Sequence, residues 1–479
     1  MASSENTLRS PAARVAIVTL LALILGITAL RLRGPAPGPM ASRAMATLSD
    51  LLREQVPHPV ESPANAVVRD RVVARFRALG YEPVIQRAYS CGGRRHRCAT
   101  VENILVLPQT PGDIVLGVAH YDSRPEGPGA SDDGVGVATL LECASILRTE
   151  RFRNPIGFLI TDGEEAGLLG AEAFGRDPRS AAVRAVVNVD DRGTSGPSYL
   201  YETSRNNRDL VPLFRSIPQP VTSSLFYAVY ELMPNDSDLT VFKRAGKIAV
   251  NFAAIGGVEN YHKATDDLAH ADMRTLQHHC DNALAMLRAL GNTDLTHMRP
   301  GNAVFFDVLG FFVVWWPEGW TIWIALASLI VLLVTMRGQP GREIAMGALM
   351  LAAAIACAAV IGIMAMKLMP HRLAHPAPAV AAMWIVGLAS TLLLTRRRSW
   401  HGRSLVWHLI AIALALTLPG VSFLFLVPAI AMHFRNVIAA PIAAIFFFPL
   451  GLLLYTALGA LALPATAVLI AIFTSTIEP

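Results

Sequence analysis

Ile114-Val-Leu-Gly-Val-Ala-His120-Tyr-Asp122 is an uncharged run, rich in β-branched residues, that ends abruptly in an imidazole and a carboxylate. A short, continuously apolar run of this kind is what a strand covered on both faces requires. Ile156 to Thr161 repeats the pattern and leads into Asp162-Gly-Glu164-Glu165-Ala-Gly167, and Ala185 to Val189 does so before Asp190. Ile104 to Leu107 and Ile248 to Ile255 read as further strands, while Val137 to Leu147 and Ala166 to Phe174 read as helices. Strands alternating with helices predict an α/β domain with a mostly parallel sheet and helices on both faces. In such a sheet ligands bind outside the carboxyl ends of the strands. Polar groups that follow the apolar runs are therefore aimed at one common edge.

Outward from this core the composition changes. The chain has 479 residues, mean hydropathy +0.43 and only 16% charged residues, against about a quarter in soluble chains. The deficit is concentrated after Phe305, where the sequence is almost continuously apolar to Phe473. The reading divides the chain into an N-terminal membrane anchor (1–34), an α/β domain (35–293), an interfacial connector (294–319) and a multispan transmembrane region (320–479). Val15 to Leu30 is the anchor, with a cleaved signal peptide as its alternative. Gly34-Pro-Ala-Pro-Gly-Pro39 is a stiff linker. Val304 to Trp316 is expected to form an interfacial or re-entrant helix, with Trp-Trp-Pro-Glu-Gly-Trp at the headgroup level. Thr321 to Met336, Ile344 to Met366, Val380 to Thr395, Leu405 to Leu418, Val421 to Met432, Val437 to Tyr455 and Leu461 to Phe473 are the candidate spans.

Net charge is +5, and the arginines cluster at the ends of apolar runs: Arg31 and Arg33, Arg337 and Arg342, Arg396 to Arg398 with Arg403. That is the pattern of charges flanking membrane spans, and it argues against nucleic-acid binding. Placing the Arg396 to Arg403 loop in the cytoplasm puts the α/β domain on the opposite side, as does an anchor whose start is cytoplasmic. The Lys367 to Arg372 loop falls on the wrong side of that scheme. Cys91 and Cys98 flank a Gly-Gly-Arg-Arg-His-Arg loop and are placed for one local bridge in an oxidising compartment, two unpaired thiols being the alternative. Cys143, Cys280 and Cys357 lie in apolar stretches and read as core residues.

Five groups with metal-ligand chemistry follow in order: His120, a carboxylate of Asp132-Asp133, a carboxylate of Glu164-Glu165, Asp190 and His262. Two imidazoles and three carboxylates suit two borderline divalent cations, zinc above all, and five ligands for two tetrahedra require one carboxylate to bridge. Asp122 would orient His120 through the ring nitrogen not used for metal. Paired cations make water more acidic and polarise a carbonyl, and a neighbouring carboxylate can carry the proton to a leaving amine. Glu164 and Glu165 supply one residue for each role.

The arrangement resembles the M28 family of co-catalytic zinc aminopeptidases over roughly 103–287. The resemblance implies metal binding by His120, Glu165, Asp190 and His262, with Asp132 as the bridge and Glu164 as general base. It also implies that Tyr261 donates a hydrogen bond to the oxyanion, a packed core tyrosine being its alternative. Asp133 is expected to act only on the turn beside the bridge. With Phe305-Phe-Asp-Val-Leu-Gly-Phe-Phe312 and the multispan region, the architecture is similar to the membrane-bound, Fxna-type branch of the endoplasmic reticulum and fungal vacuole. One departure is Asp236-Ser-Asp-Leu239, where soluble members often have Ser-Asp-His, so substrate preference does not carry over.

The expected partners are thus a peptide substrate and membrane lipid, with two zinc ions as cofactors. An aminopeptidase facing the periplasm or an organelle lumen is the leading reading. A carboxypeptidase or dipeptidase on the same scaffold uses the same ligands. A metal-free receptor or scaffold predicts lost ligands, whereas all five and the base are intact. A transporter predicts ionisable groups inside the spans, where His408 is the main one.

Overall fold

In the computed structural model, which describes residues 11–93, 96–110, 112–232, 235–368, 400–434, 442–443, 445–447, 468 and 472, Ile114–His120 is a strand buried along its whole length. The elements in chain order are α1 (Pro11–Arg31), α2 (Pro39–Leu51), α3 (Pro63–Ala78), β1 (Val84–Gly92), β2 (Arg97–Val106), β3 (Ile114–His120) and α4 (Gly136–Leu147). Then follow β4 (Ile156–Thr161), α5 (Leu169–Gly175), β5 (Val183–Val189), β6 (Tyr199–Thr203), α6 (Ser224–Leu232), α7 (Asp238–Arg244), β7 (Ile248–Ala253) and α8 (Met273–Gly291). The chain divides into two compact units, Arg31–Trp315 and the remainder, Met1–Leu30 with Trp316–Pro479.

Alternate residues of β3 serve two different cores. Val115 and Ala119 pack with Leu48, Leu140 and Leu287 from α2, α4 and α8, whereas Leu116 and Val118 pack with Phe174 and Phe242 from α5 and α7. This double cover is why the strand tolerates no polar residue before its end.

The seven strands run β1-β2-β4-β3-β5-β7-β6. Neighbours from β4 to β7 are parallel, and the flanks β1-β2-β4 and β7-β6 are antiparallel. The largely parallel sheet expected from the alternation therefore occupies the centre. The first flank is antiparallel because β1 and β2 are consecutive strands of a hairpin, tied near its tip by the Cys91–Cys98 disulfide.

From β3 the chain steps to β4 on one side and then to β5 on the other. Such a reversal opens a crevice at the carboxyl ends of the strands. His120 ends β3, Glu164 and Glu165 follow β4, and Asp190 follows β5, so the topology delivers them to the same place.

One expectation is corrected. Val304 to Trp316 is not an interfacial helix but the hairpin β8 (Ala303–Val308) and β9 (Phe312–Pro317). Gly310, with φ of 73°, takes the left-handed turn that a residue with a Cβ resists. Aromatic and β-branched neighbours favour the pleated state. Asp307, which interrupted the apolar run, pairs with Arg31 at 2.9 Å and accepts from the Thr222 N–H at 2.9 Å.

In the second unit α9 (Thr321–Thr335), α10 (Gly341–Leu368), α11 (Trp400–Thr417) and α12 (Pro419–Ala431) overlay four of the candidate spans. Two stretches, Glu318–Thr335 and Gly341–Met364, are long and apolar enough to cross a membrane. Val380 to Thr395 lies outside the described residues, as do most of Val437 to Tyr455 and of Leu461 to Phe473. His408 is buried: its Nδ1 is 2.7 Å from the Ser404 carbonyl and its Nε2 is 2.8 Å from Ser328 Oγ.

Candidate metal centre

The loop from β3 to α4 carries Asp132 and Asp133 across a cis peptide bond. Two buried carboxylates hold it. Asp266 accepts the N–H groups of Ser131 (2.7 Å) and Asp132 (3.1 Å). Asp133 accepts those of His120 (3.1 Å) and Gly136 (3.1 Å). A Cβ on residue 136 would stand 2.2 Å from Asp133 Oδ1, so glycine there makes room for the carboxylate. Asp133 thus secures the strand end and the helix start, which leaves Asp132 free to face the crevice.

Asp122 performs the same service for two ligand segments at once. Its carboxylate lies 3.4 Å from His120 Nδ1 and accepts the N–H groups of Glu164 (3.0 Å) and Glu165 (3.2 Å). The Asp122 backbone carbonyl is 3.0 Å from the same His120 nitrogen. Donation from Nδ1 leaves the Nε2 lone pair pointing into the crevice.

Two clusters of donor atoms result, each within 4.8 Å: His120, Asp132 and Asp190, and Asp132, Glu165 and His262. Asp132 belongs to both. Its Oδ1 is 3.2 Å from His120 Nε2 and its Oδ2 is 3.1 Å from His262 Nε2. His262 Nε2 is also 3.0 Å from Glu165 Oε1. His262 has a φ of 57°, uncommon for a residue other than glycine and a form of local strain that concentrates at functional sites.

The charges fit cations. Burial pushes Glu165 up to about 7, with Asp132 adding to the push. Burial likewise raises Glu164 and Asp190 well above the carboxylate range, while other carboxylates nearby raise them further. Burial would raise Asp132 too, but hydrogen bonds from His120 and His262 hold it low. Crowded carboxylates with two imidazoles aimed among them are a donor set that divalent zinc neutralises, and His/Asp/Glu donors match its chemistry.

Glu164 lies beside the clusters, facing His120, Asp190, Glu165 and Asp238. The Tyr261 ring stacks on that of His262, with centroids 3.7 Å apart. Burial and the carboxylates of Asp132, Asp190, Glu165 and Glu164 push the Tyr261 hydroxyl far above its ordinary pKa. It therefore stays protonated as a donor.

Asp238, Asp266, Arg124 and Arg192 also belong to this neighbourhood and were not singled out from sequence. Asp238 is buried, bonds Thr161 Oγ1 through Oδ2 and leaves Oδ1 without a hydrogen-bond partner. Arg124 donates to the Glu165 carbonyl at 3.2 Å. The only sequence signal was proximity: Asp238 sits in the Asp236-Ser-Asp-Leu239 departure, Arg124 follows Asp122, and Arg192 follows Asp190.

The strand ends of the sheet thus gather imidazoles and carboxylates around a shared aspartate. Residues 104–287 match the model of Peptidase family M28, and the chain carries an M28 domain. Similar curated proteins include the human endoplasmic reticulum metallopeptidase 1, 32% identical over 43% of this chain and 24% of its own length. The vacuolar membrane protease of Eremothecium gossypii is 27% identical over 56% of this chain and 29% of its own length. The chain thus spans about a quarter of the length of these relatives. Among solved structures, the Fimbriiglobus ruber glutaminyl cyclase is 16% identical, with a TM-score of 0.43, over 53% of this chain and 97% of its own.

Proposed function

We propose that the chain is a membrane-bound, two-zinc exopeptidase that releases N-terminal residues from peptides. The observation that carries this reading is the pair of donor clusters sharing Asp132, beside a half-buried carboxylate, Glu164, that belongs to neither. His120 and Asp190 would hold one ion, Glu165 and His262 the other, with Asp132 between them. Two zinc ions bound there would supply Lewis-acid polarisation of the scissile carbonyl and make water a competent nucleophile near neutral pH.

The chain's own residues do the rest. Glu164, raised well above the carboxylate range by burial, takes the proton of the attacking water and returns it to the departing amine. Tyr261, held against His262, donates its hydroxyl hydrogen to the developing oxyanion. Asp122 keeps the His120 ring and the Glu164–Glu165 backbone in register with each other.

The multispan region serves as an anchor with several passes, and the M28 domain lies on the non-cytoplasmic side. The Cys91–Cys98 disulfide supports that side, because such bridges persist in oxidising compartments. The test is a panel of aminoacyl-chromophore substrates, with and without a free α-amine, given to the detergent-solubilised full chain. Cleavage that needs the free amine, stops with chelator and returns with zinc is the expected result. Cleavage of amine-blocked substrates alone would contradict N-terminal release.

A further inference from the structure

We propose that Arg192 anchors a carboxylate of the peptide substrate. The inference rests on the peptidase reading above and names the substrate chemistry of the same site.

Arg192 stands two residues beyond Asp190, on the segment that leaves β5. That segment is fastened to the one that leaves β7. The Asp190 N–H donates to the Phe252 carbonyl (3.0 Å), that of Arg192 to Ala254 (3.0 Å), and Ser195 and Gly256 exchange both backbone bonds (3.0 and 2.9 Å). The β7 side continues to Tyr261 and His262. The Arg192 guanidinium lies over the Tyr261 ring, 5.7 Å from its centroid, within the range of a cation–π contact. Tyr261 in turn is stacked on His262. The cation is therefore one ring removed from a metal-ligating imidazole, on a backbone that holds it there.

Arg192 is half-buried and, among the described residues, has no carboxylate within ion-pair distance. Three other half-buried arginines of the same unit do have such partners: Arg31 pairs with Asp307, Arg71 with Glu54 and Arg69 with Glu102. Arg124, on the Glu165 side of the site, is 3.6 Å from the Glu165 carboxylate. A guanidinium held beside an aromatic ring keeps its N–H fork, which matches a carboxylate in two-point contact. The carboxylate can be the free C-terminus of a short peptide or an aspartyl or glutamyl side chain next to the scissile bond.

The full chain, loaded with zinc, separates these. Matched peptides are compared by kcat/KM: Ala-Ala against its C-terminal amide, and the amide against Asp-Ala-amide and Ala-Asp-amide. We expect the carboxylate-bearing member of one pair to be favoured about 10- to 100-fold, the range of hydrogen bonds to a charged group. The pair that shows the preference identifies the source. In Arg192→Gln the preference collapses to within about threefold, mainly through KM; Arg192→Lys retains part of it, and Arg192→Glu reverses it. Equal rates within every pair for the wild type would overturn the proposal. So would an Arg192→Gln variant that slows all members by one common factor, since Arg192 would then act only through Tyr261. If no peptide is cleaved, the peptidase reading fails separately. Calorimetric binding of the same pairs then decides Arg192: preference lost in Arg192→Gln upholds it, and equal wild-type affinities overturn it.

Discussion

Asp266 belongs to none of the apolar runs that marked the site, yet its removal should loosen the metal centre. The side chain is 2% exposed and accepts two backbone N–H groups, from Ser131 at 2.7 Å and from Asp132 at 3.1 Å. Asp266→Ala leaves both donors buried without an acceptor. An unsatisfied buried donor costs about 1–3 kcal/mol; with some relaxation and water entry, the pair should cost about 2–4 kcal/mol of stability. The second consequence falls on Asp132, whose backbone loses its fixed position. Loss of an outer partner of a metal ligand weakens metal affinity about 10- to 100-fold, and that range is expected here. Asp267→Ala is the control, because Asp267 bonds only the turn residues Ala269 and His270 at the surface. Zinc affinity by competition with a chromogenic chelator, and thermal unfolding with and without zinc, read the two effects on the purified full chain. An Asp266→Ala variant that holds zinc as tightly as wild type and unfolds at the same temperature would refute the reasoning.

Asp122→Ala should lower kcat/KM about 10- to 100-fold, since it removes the acceptor of two backbone donors and the orienting partner of His120; Asp122→Asn should fall between, and wild-type rates in the alanine variant would contradict the role. Acid should destabilise the M28 domain through His278. Burial holds its pKa at about 3, while Nδ1 accepts the Ser198 N–H and Nε2 donates to the Gln219 carbonyl. The folded state thus refuses a proton that the unfolded state takes below about 6.5, so stability is lost as pH falls through that window, by about 2 kcal/mol at pH 5. Urea unfolding at pH 7 and pH 5 should show the loss in wild type and a shallower one in His278→Gln.

The catalytic face was legible because burial on both sides keeps β3 and β4 apolar up to their last residue and most of β5 apolar, Asn188 being bonded to Asn251 within the sheet. The polar groups at the end of each run, His120, Asp162 with Glu164 and Glu165, and Asp190, then stand out. Of the antiparallel flanks only the end of β2, Ile104 to Leu107, was legible, since the rest carries mixed residues: Gln86 and Arg87 lie within β1, and Arg97 and Glu102 within β2. The β8–β9 hairpin was read as a helix because a short aromatic run shows neither period clearly, and the informative residue was Gly310. Asp266 and Arg192 gave no signal of their own, because what they touch is decided by loops that meet only in the fold.

The most direct measurement is the zinc content of the folded full chain, by elemental analysis, for wild type and Glu164→Gln, with hydrolysis of a free-amine substrate followed in both. Two zinc ions per chain in each protein, with hydrolysis at least about 10³-fold slower in the variant, is the expected result. One ion per chain, or undiminished hydrolysis without Glu164, would contradict a two-cation site served by that base.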